Sequence, residues 1–247
     1  LADLMVLDTP EEPAFDDLVF MAAKACNVPI ALITLLDVDR QWFKAKYGLD
    51  VRETEIDHSV CQIEIDRGDM LEITDLTADQ RTKRNPLVTG GRHFRAYAGA
   101  PLILRSGAIV GRLCVIDTEP RPEGLNELER AMLRALARLA SENLELRRTA
   151  KASERLTELQ AALVDIGEAI RNSEDAGQMA SATAAIVGRV LSADRAGLGL
   201  IDDAVEMLDV ESDWTAPGIP SVAGRHALDE YDGLQEPLSY GDPLVVS

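Results

Sequence analysis

From Leu125 to Ile166 the chain contains neither glycine nor proline. Those two residues are the usual breakers of helices, so this run constrains the fold more than any other segment. Asn126 stands where a helix N-cap is wanted, and Glu129 follows at capping-box spacing. Leu125, Leu128, Met132, Leu136, Leu139, Asn143 and Leu146, then Leu156, Leu159, Leu163, Ile166 and Ile170, recur mostly at steps of three or four. Such spacing makes a narrow apolar seam of the coiled-coil kind. The seam thins at Thr149–Ser153, where a break or stutter is expected. A continuous helix here is on the order of 60 Å long at ~1.5 Å per residue. The alternative is two packed helices with a kink.

Ahead of this run, Phe15, Leu18, Val19 and Ala22 share one face of a helix over Phe15–Ala25, which Asn27 and Pro29 terminate. Residues 30–36 (IALITLL) form a short apolar run with β-branched members, the mark of a buried strand. Asp37–Arg40 is a turn. Trp42–Tyr47 then alternates, with Phe43, Ala45 and Tyr47 on one face and Trp42, Lys44 and Lys46 on the other. That reads as a half-exposed strand closing an antiparallel hairpin. A short element around Ser59–Ile65 and a strand over Met70–Thr74 follow. Residues 75–93 are polar, with Asn85-Pro86 and Gly90-Gly91 as breakers. Tyr97–Leu104 and Ile109–Ile116 make a second hairpin across Arg105–Ala108, and Pro101 implies an edge position or a bulge.

Part of this opening recurs. Gln178–Leu191 is an apolar helix, and Arg195–Ile201 matches the 30–36 strand at an offset of 195 − 30 = 165 residues. At that offset Asp202 falls under Asp37, and Leu208 and Val210 fall under Phe43 and Ala45. The repeat is one of pattern rather than identity, and it implies two copies of one fold. The second copy runs out at Ser247, before its last hairpin. The chain starts at Leu1 rather than Met and ends on a strand-like run, Pro243–Ser247, so it reads as a fragment of something longer.

The formal net charge is −18, and the residues after 150, with 6 Lys and Arg against 18 Asp and Glu, carry 6 − 18 = −12 of it. That balance repels phosphate backbones and anionic lipid, which excludes nucleic acid and membrane surfaces as partners of this segment. No apolar run approaches the roughly 18 residues of a membrane span, and no signal peptide is present. Cys26, Cys61 and Cys114 are odd in number and widely spaced, with no CxxC, which suits a reducing cytoplasm.

Five segments, LDTPEEPAFDDLV, DRQWFKAKYGLD, NPLVTG, YAGAPL and GRLCVID, occur in order and closely resemble the GAF domains at the front of bacterial sensor histidine kinases and related signalling proteins. The resemblance covers residues 4–140 on sequence, and 160–247 mainly on pattern. It implies an α+β GAF fold: a central antiparallel sheet of about six strands with flanking helices, then a long coupling helix and a partial second GAF-like domain. The expected boundaries are 1–124, 125–172 and 173–247. It also implies a homodimer through the 125–170 helix and a pocket for an unidentified small molecule.

On such a fold Trp42, Phe43, His58, Cys61, Phe94, Tyr97 and Cys114 are the candidate pocket residues. They combine an apolar wall with a few directed polar groups. Phe43, Tyr97 and Cys114 equally suit a plain core. His58 and Cys61, three apart, are within reach of one metal ion or of thiol tuning, but no further pair completes a metal site and none is assigned. His93 and His226 have no neighbouring cysteine. Bilin-binding GAF domains carry Cys-His, whereas Gln62 follows Cys61 here. The cyclic-nucleotide signature is missing too, since Pro86 follows Asn85. His58-Ser-Val-Cys61 matches only a fragment of the motif of the free-methionine sulfoxide reductases. The basic, Gly-ended loop Asp79–Gly91 is a possible contact for an anion. No phosphate loop or nucleophile elbow is found.

The expected function is therefore a cytoplasmic sensory and dimerisation module without catalytic residues, feeding an output domain such as a histidine kinase or a cyclic-dinucleotide enzyme. A thiol-based GAF enzyme and a ligand-free dimerisation unit are the alternatives.

Overall fold

The computed structural model describes residues 4–202 and 207–227. The chain divides into two compact units, residues 1–151 and 152–247. The strand-like run at Pro243–Ser247 lies outside the described residues.

In the first unit helix α1 (Pro13–Ala25) leads into strands β1 (Ile30–Leu36), β2 (Arg40–Tyr47) and β3 (Glu53–Glu55). Single turns of 3-10 helix follow at 56–58, 60–62 and 65–67. Next come β4 (Leu71–Ile73), the one-turn helix α2 (Pro86–Thr89), β5 (Ala96–Ile103) and β6 (Ile109–Asp117). All strands pair antiparallel, in the order β3-β2-β1-β6-β5-β4. This is an α+β fold, with β1 and β6 at the sheet centre.

β1 is apolar throughout because both of its faces are buried. Ala31, Ile33 and Leu35 face α1 and the helix that follows β6. Ile30 and Leu32 face the opposite side, under the loops. Two cores thus share one strand. On the helix side small residues, Ala98 and Ala100 of β5, pack with Phe15, Leu18, Val19 and Ala22 of α1. Gly111 permits the central pairing: a Cβ there would lie 1.8 Å from the Thr34 carbonyl oxygen.

Strand β2 departs from strict alternation. Ile33 pairs with Ala45 but Thr34 pairs with Phe43, which leaves Lys44 as an extra residue in a bulge. Phe43 therefore joins the loop-side core, while Trp42, Ala45 and Tyr47 pack on the helix side. This corrects the expectation of Phe43 and Ala45 on one face, and the strand is buried rather than half-exposed. The bulge aims Lys44, which is fully buried, at the start of α1. Its Nζ donates to Thr9 Oγ1 and the Pro10 carbonyl, each at 3.0 Å, and to Glu12 Oε1 at 2.5 Å.

Pro101 stands where β4 has ended, since β4 pairs with β5 only from Tyr97 to Gly99. The strand is an edge at that point, so no ladder donor is missed.

The long helix α3 runs unbroken from Glu127 to Asn172, through Thr149–Ser153. Its capping box is made: the Glu129 amide donates to Asn126 Oδ1 (2.9 Å), and the Asn126 amide to Glu129 Oε2 (2.7 Å). Its apolar residues divide into two stripes. Leu133, Leu136, Ala137, Ala140 and Leu144, with Leu125 just before the helix, are buried in the first unit's core. Leu128, Met132, Leu139 and Leu146 are exposed. The single seam expected from spacing thus merges two faces, and Leu125 and Leu136 belong to the core.

In the second unit α4 (Ala176–Leu191) packs on an antiparallel sheet of β7 (Arg195–Asp202), β8 (Met207–Thr215) and β9 (Gly224–Ala227). Asp175 caps α4 by accepting from the Gln178 amide at 2.8 Å. The bulged hairpin recurs: Leu198 pairs with Ser212 and Gly199 with Val210, leaving Glu211 as the extra residue. The bulge recurs at 198 − 33 = 165 on the first strand and 211 − 44 = 167 on the second. Val210 therefore lies under Phe43, two residues beyond the alignment expected from sequence.

Burial pushes the Glu12 carboxyl up, but hydrogen bonds from Lys44 and Arg147 outweigh it and hold it below its ordinary 4.5. A depressed carboxylate stabilises the fold above its unfolded value and loses that contribution as the pH falls through the folded one. Glu12→Gln should therefore flatten the loss of stability below pH 4.5. Lys44→Ala should cost about 2–4 kcal/mol, through the cavity and the partly orphaned acceptors. Urea unfolding as a function of pH reads both.

Candidate functional site

The loop-side core does not close completely. A cavity of about 200 Å³ remains between the sheet and the loops that cover it. The sheet supplies Leu32, Gln41, Phe43, Tyr97, Cys114 and Ile116. The chain after β2 adds Leu49, Val51, Glu53 and Thr54, and the 3-10 turn at 60–62 adds Val60 and Cys61. Leu76, Leu87, Arg92 and Phe94 come from the connection between β4 and β5. A dry cavity of ~150 Å³ takes up benzene, whereas pockets for drug-sized ligands run to roughly 300–1,000 Å³. This cavity therefore suits a small, largely apolar molecule.

Three of its polar groups meet at one place. Gln41 Nε2 donates to Cys61 Sγ at 3.1 Å, and the Tyr97 hydroxyl donates to the same sulfur at 3.2 Å. Tyr97 reaches it because Gly99, next on that face of β5, has no side chain: a Cβ there would lie 2.3 Å from the Tyr97 hydroxyl. Burial, then the neighbouring Cys61, pushes the Tyr97 phenol well above its usual range, so it remains a donor. The covering loops are tied together by Asn85, whose Nδ2 donates to the His58 carbonyl at 2.9 Å. Asn85 also caps α2 by accepting from the Leu87 amide at 2.9 Å.

Of the candidates named from sequence, Phe43, Cys61, Phe94, Tyr97 and Cys114 meet in this cavity. Trp42 packs in the other core, on the opposite face of the sheet. His58 is turned away toward Glu55, with Nδ1 3.5 Å from Oε2, so it does not share a site with Cys61. Among the described residues no group of three or more His, Cys, Asp and Glu side chains could hold a metal ion. In the basic loop Arg81 is engaged by Asp79 (2.6 Å) and Glu64 (3.2 Å), and beyond it Arg95 is engaged by Asp75 (3.0 Å). Arg81, Lys83 and Arg84 of the loop do not line the cavity, whereas Arg92, just after it, does.

Sequence reasoning missed Gln41, although it sits two residues before Phe43 and alternation places it on the same face. It also missed Arg112, a charge inside the apolar run GRLCVID and fully buried on β6. Leu49, Val51 and Thr54 come from a stretch with no periodicity and carried no signal.

A sheet with helices on one face and a loop-roofed cavity on the other is the build of a sensor domain. The GAF domain model matches residues 10–144, and the chain belongs to the GAF domain family. It is 43% identical over 136 residues to a cyclic di-GMP phosphodiesterase of Pseudomonas aeruginosa, a match covering 55% of this chain and 23% of that protein. Among solved structures, a bacteriophytochrome of R. palustris aligns with a TM-score of 0.56 at 9% identity, over 78% of this chain and 45% of that one. The GAF domain of a Coxiella burnetii phosphoenolpyruvate-protein phosphotransferase aligns at 0.49 and 17%, over 60% and 90%. Among the described residues no helix is long and apolar enough to cross a membrane.

Gly99→Ala should displace Tyr97 from Cys61 and cost about 1–3 kcal/mol by overpacking. Thermal unfolding measures the cost. A shift of the Tyr97 ring resonances reports the displacement.

Proposed function

We propose that this chain is the ligand-binding and dimerisation module of a bacterial signal-transduction protein and carries out no catalysis of its own. The single observation behind this reading is the cavity. Natural cores are packed with few voids larger than a water molecule, so a lined space of about 200 Å³ with one cluster of donors is a binding feature. The preferred ligand is a small ring or branched apolar molecule with one hydrogen-bonding group, bound near Cys61, Tyr97 and Gln41.

The exposed stripe Leu128, Met132, Leu139 and Leu146 supports pairing of two copies along α3. Monomeric proteins rarely leave a contiguous apolar stripe uncovered. A ligand with different affinities for two arrangements of the paired helices would bias an output domain beyond this chain. The sequence resemblance favours a histidine kinase as that output. The relative from P. aeruginosa, of which this chain spans 23%, favours turnover of a cyclic dinucleotide.

Native mass spectrometry of the purified chain tests both parts. A dimer that releases extra mass on denaturation is expected, and indole added to ligand-free protein should raise its melting temperature by a few degrees. Val60→Trp, which fills the cavity, should abolish that rise. An indole response unchanged in Val60→Trp would sink the cavity reading. Changing Leu128, Leu139 and Leu146 together to Glu should give folded monomers, and a persistent dimer mass would remove the α3 interface.

A further inference from the structure

The cavity wall holds two thiols, one of them in the polar cluster proposed to meet the ligand. Cys61 Sγ and Cys114 Sγ lie 3.8 Å apart, and both are buried. Cys114 is fixed in the middle of β6, opposite Leu32 and Gly99. Cys61 sits on the 3-10 turn Val60–Gln62, outside the sheet ladder. Both sulfurs border the cavity, so a small oxidant that enters it meets them directly.

The surroundings stabilise negative charge on one of the two. Gln41 and Tyr97 both donate to Cys61. Arg112 lies on β6 two residues before Cys114 and is fully buried. Its Nη2 donates to the carbonyls of Ile63 (3.1 Å) and Glu64 (3.3 Å), while Nε and Nη1 have no partner among the described residues. A buried guanidinium calls for a compensating charge, and a Cys61 thiolate supplies it. Burial pushes the Cys61 thiol up, but hydrogen bonding, with Cys114 foremost, and the charge of Arg112 outweigh it and hold it low. The hydrogen bond to Cys61, and then burial, pushes Cys114 up. Two donors converge on Cys61 and none on Cys114 but Cys61 itself, so the geometry favours negative charge on Cys61.

We propose that Cys61 and Cys114 form a reversible thiol–disulfide switch, oxidised by hydrogen peroxide admitted through the cavity. The Cys61 thiolate attacks one peroxide oxygen. The S–O bond forms, the O–O bond breaks, and the departing hydroxide takes the Cys114 proton to leave as water. The Cys114 thiolate then attacks the Cys61 sulfenic sulfur. The S–S bond forms, the S–OH bond breaks, and the second hydroxide takes a proton from solvent. Two electrons pass from the thiols to the peroxide, and an external dithiol reverses the reaction. Closing the sulfurs from 3.8 Å to about 2.05 Å draws the turn at Val60–Gln62 onto β6. It also removes the acceptor of Gln41 and Tyr97 and the charge beside Arg112. The two redox states therefore present cavities of different shape and polarity. Cys26 lies in the core on the far side of the sheet, where burial pushes its thiol up to about 11, and it takes no part.

The test is peptide mapping of the full chain after brief treatment with hydrogen peroxide, denaturation and alkylation. Two of the three thiols should be lost, as one Cys61–Cys114 linked peptide that dithiothreitol restores, with Cys26 alkylated throughout. In Cys114→Ser the link should vanish and Cys61 should instead be trapped by dimedone as the sulfenic acid. Three alkylated cysteines after treatment would overturn the proposal. So would a link through Cys26 or between chains, or irreversible oxidation of Cys61 with no link. The mapping of the unsubstituted chain decides the matter even if Cys114→Ser fails to fold, and it does not depend on which ligand the cavity takes.

Discussion

Everything in the first unit depends on β1 being buried on both faces. One seven-residue strand serves two cores, so each alternate side chain is assigned to a different task. Ala31, Ile33 and Leu35 anchor the helices, while Ile30 and Leu32 hold up the floor of the loop-side core. A sheet with one wet face would have needed only the first set. Here the second face is dry, and it must be roofed by backbone that is not regular. The roof is the connection from 48 to 94, secured by specific contacts such as that of Asn85 with the His58 carbonyl. Irregular covering over a flat apolar floor leaves space, which a helix packed ridge into groove would have filled.

The same two-faced arrangement explains the buried cations. Lys44 is carried inward by a bulge and meets a full set of acceptors at the start of α1, so its charge is compensated by Glu12. Arg112 follows the regular alternation of β6 and meets only two carbonyls. Each is large, charged and enclosed, yet one is a structural clamp and the other an electrostatic influence on neighbouring sulfurs. The difference lies in the partners, not in the residue type or the depth of burial.

The elements were legible where physics is local. The uninterrupted helix, its capping box, the two hairpins and the apolar central strand follow from breakers, caps and period, and each appears where expected. The candidate site was legible where strand alternation carried it: Phe43, Tyr97 and Cys114 are strand residues whose facing is fixed by pleat. Trp42 was misplaced and Gln41 overlooked along the same strand, although alternation there does separate their faces. Facing beyond Phe43 was misread because a bulge leaves no trace in composition. The α3 seam was misread for another reason. Leu136 and Leu139 are three residues apart and satisfy one heptad template, yet one is enclosed and the other is exposed. A helix that is at once the lid of a domain and a free surface has two apolar stripes, and spacing alone does not apportion them. His58 and Cys61 diverge because they do not share a turn: His58 ends one 3-10 turn, Cys61 sits in the next, and the extended backbone of Ser59 separates them.

The recurrence of the bulge in the second unit bears on how such hairpins tolerate insertions. Between the two copies the offset grows from 165 on the first strand to 167 on the second, because the second hairpin has one more pair beyond the bulge: the ladder ends at Leu36–Gln41 in the first copy and at Asp202–Met207 in the second. Parity is what matters in a pleated strand: an even step returns every side chain to its own side, whereas an odd step exchanges interior and exterior along the whole strand. The bulge is itself an odd step, retained in both copies, and one added residue on each arm leaves it uncancelled. Hairpins of this kind should therefore vary in length by twos, unless a second bulge restores the count.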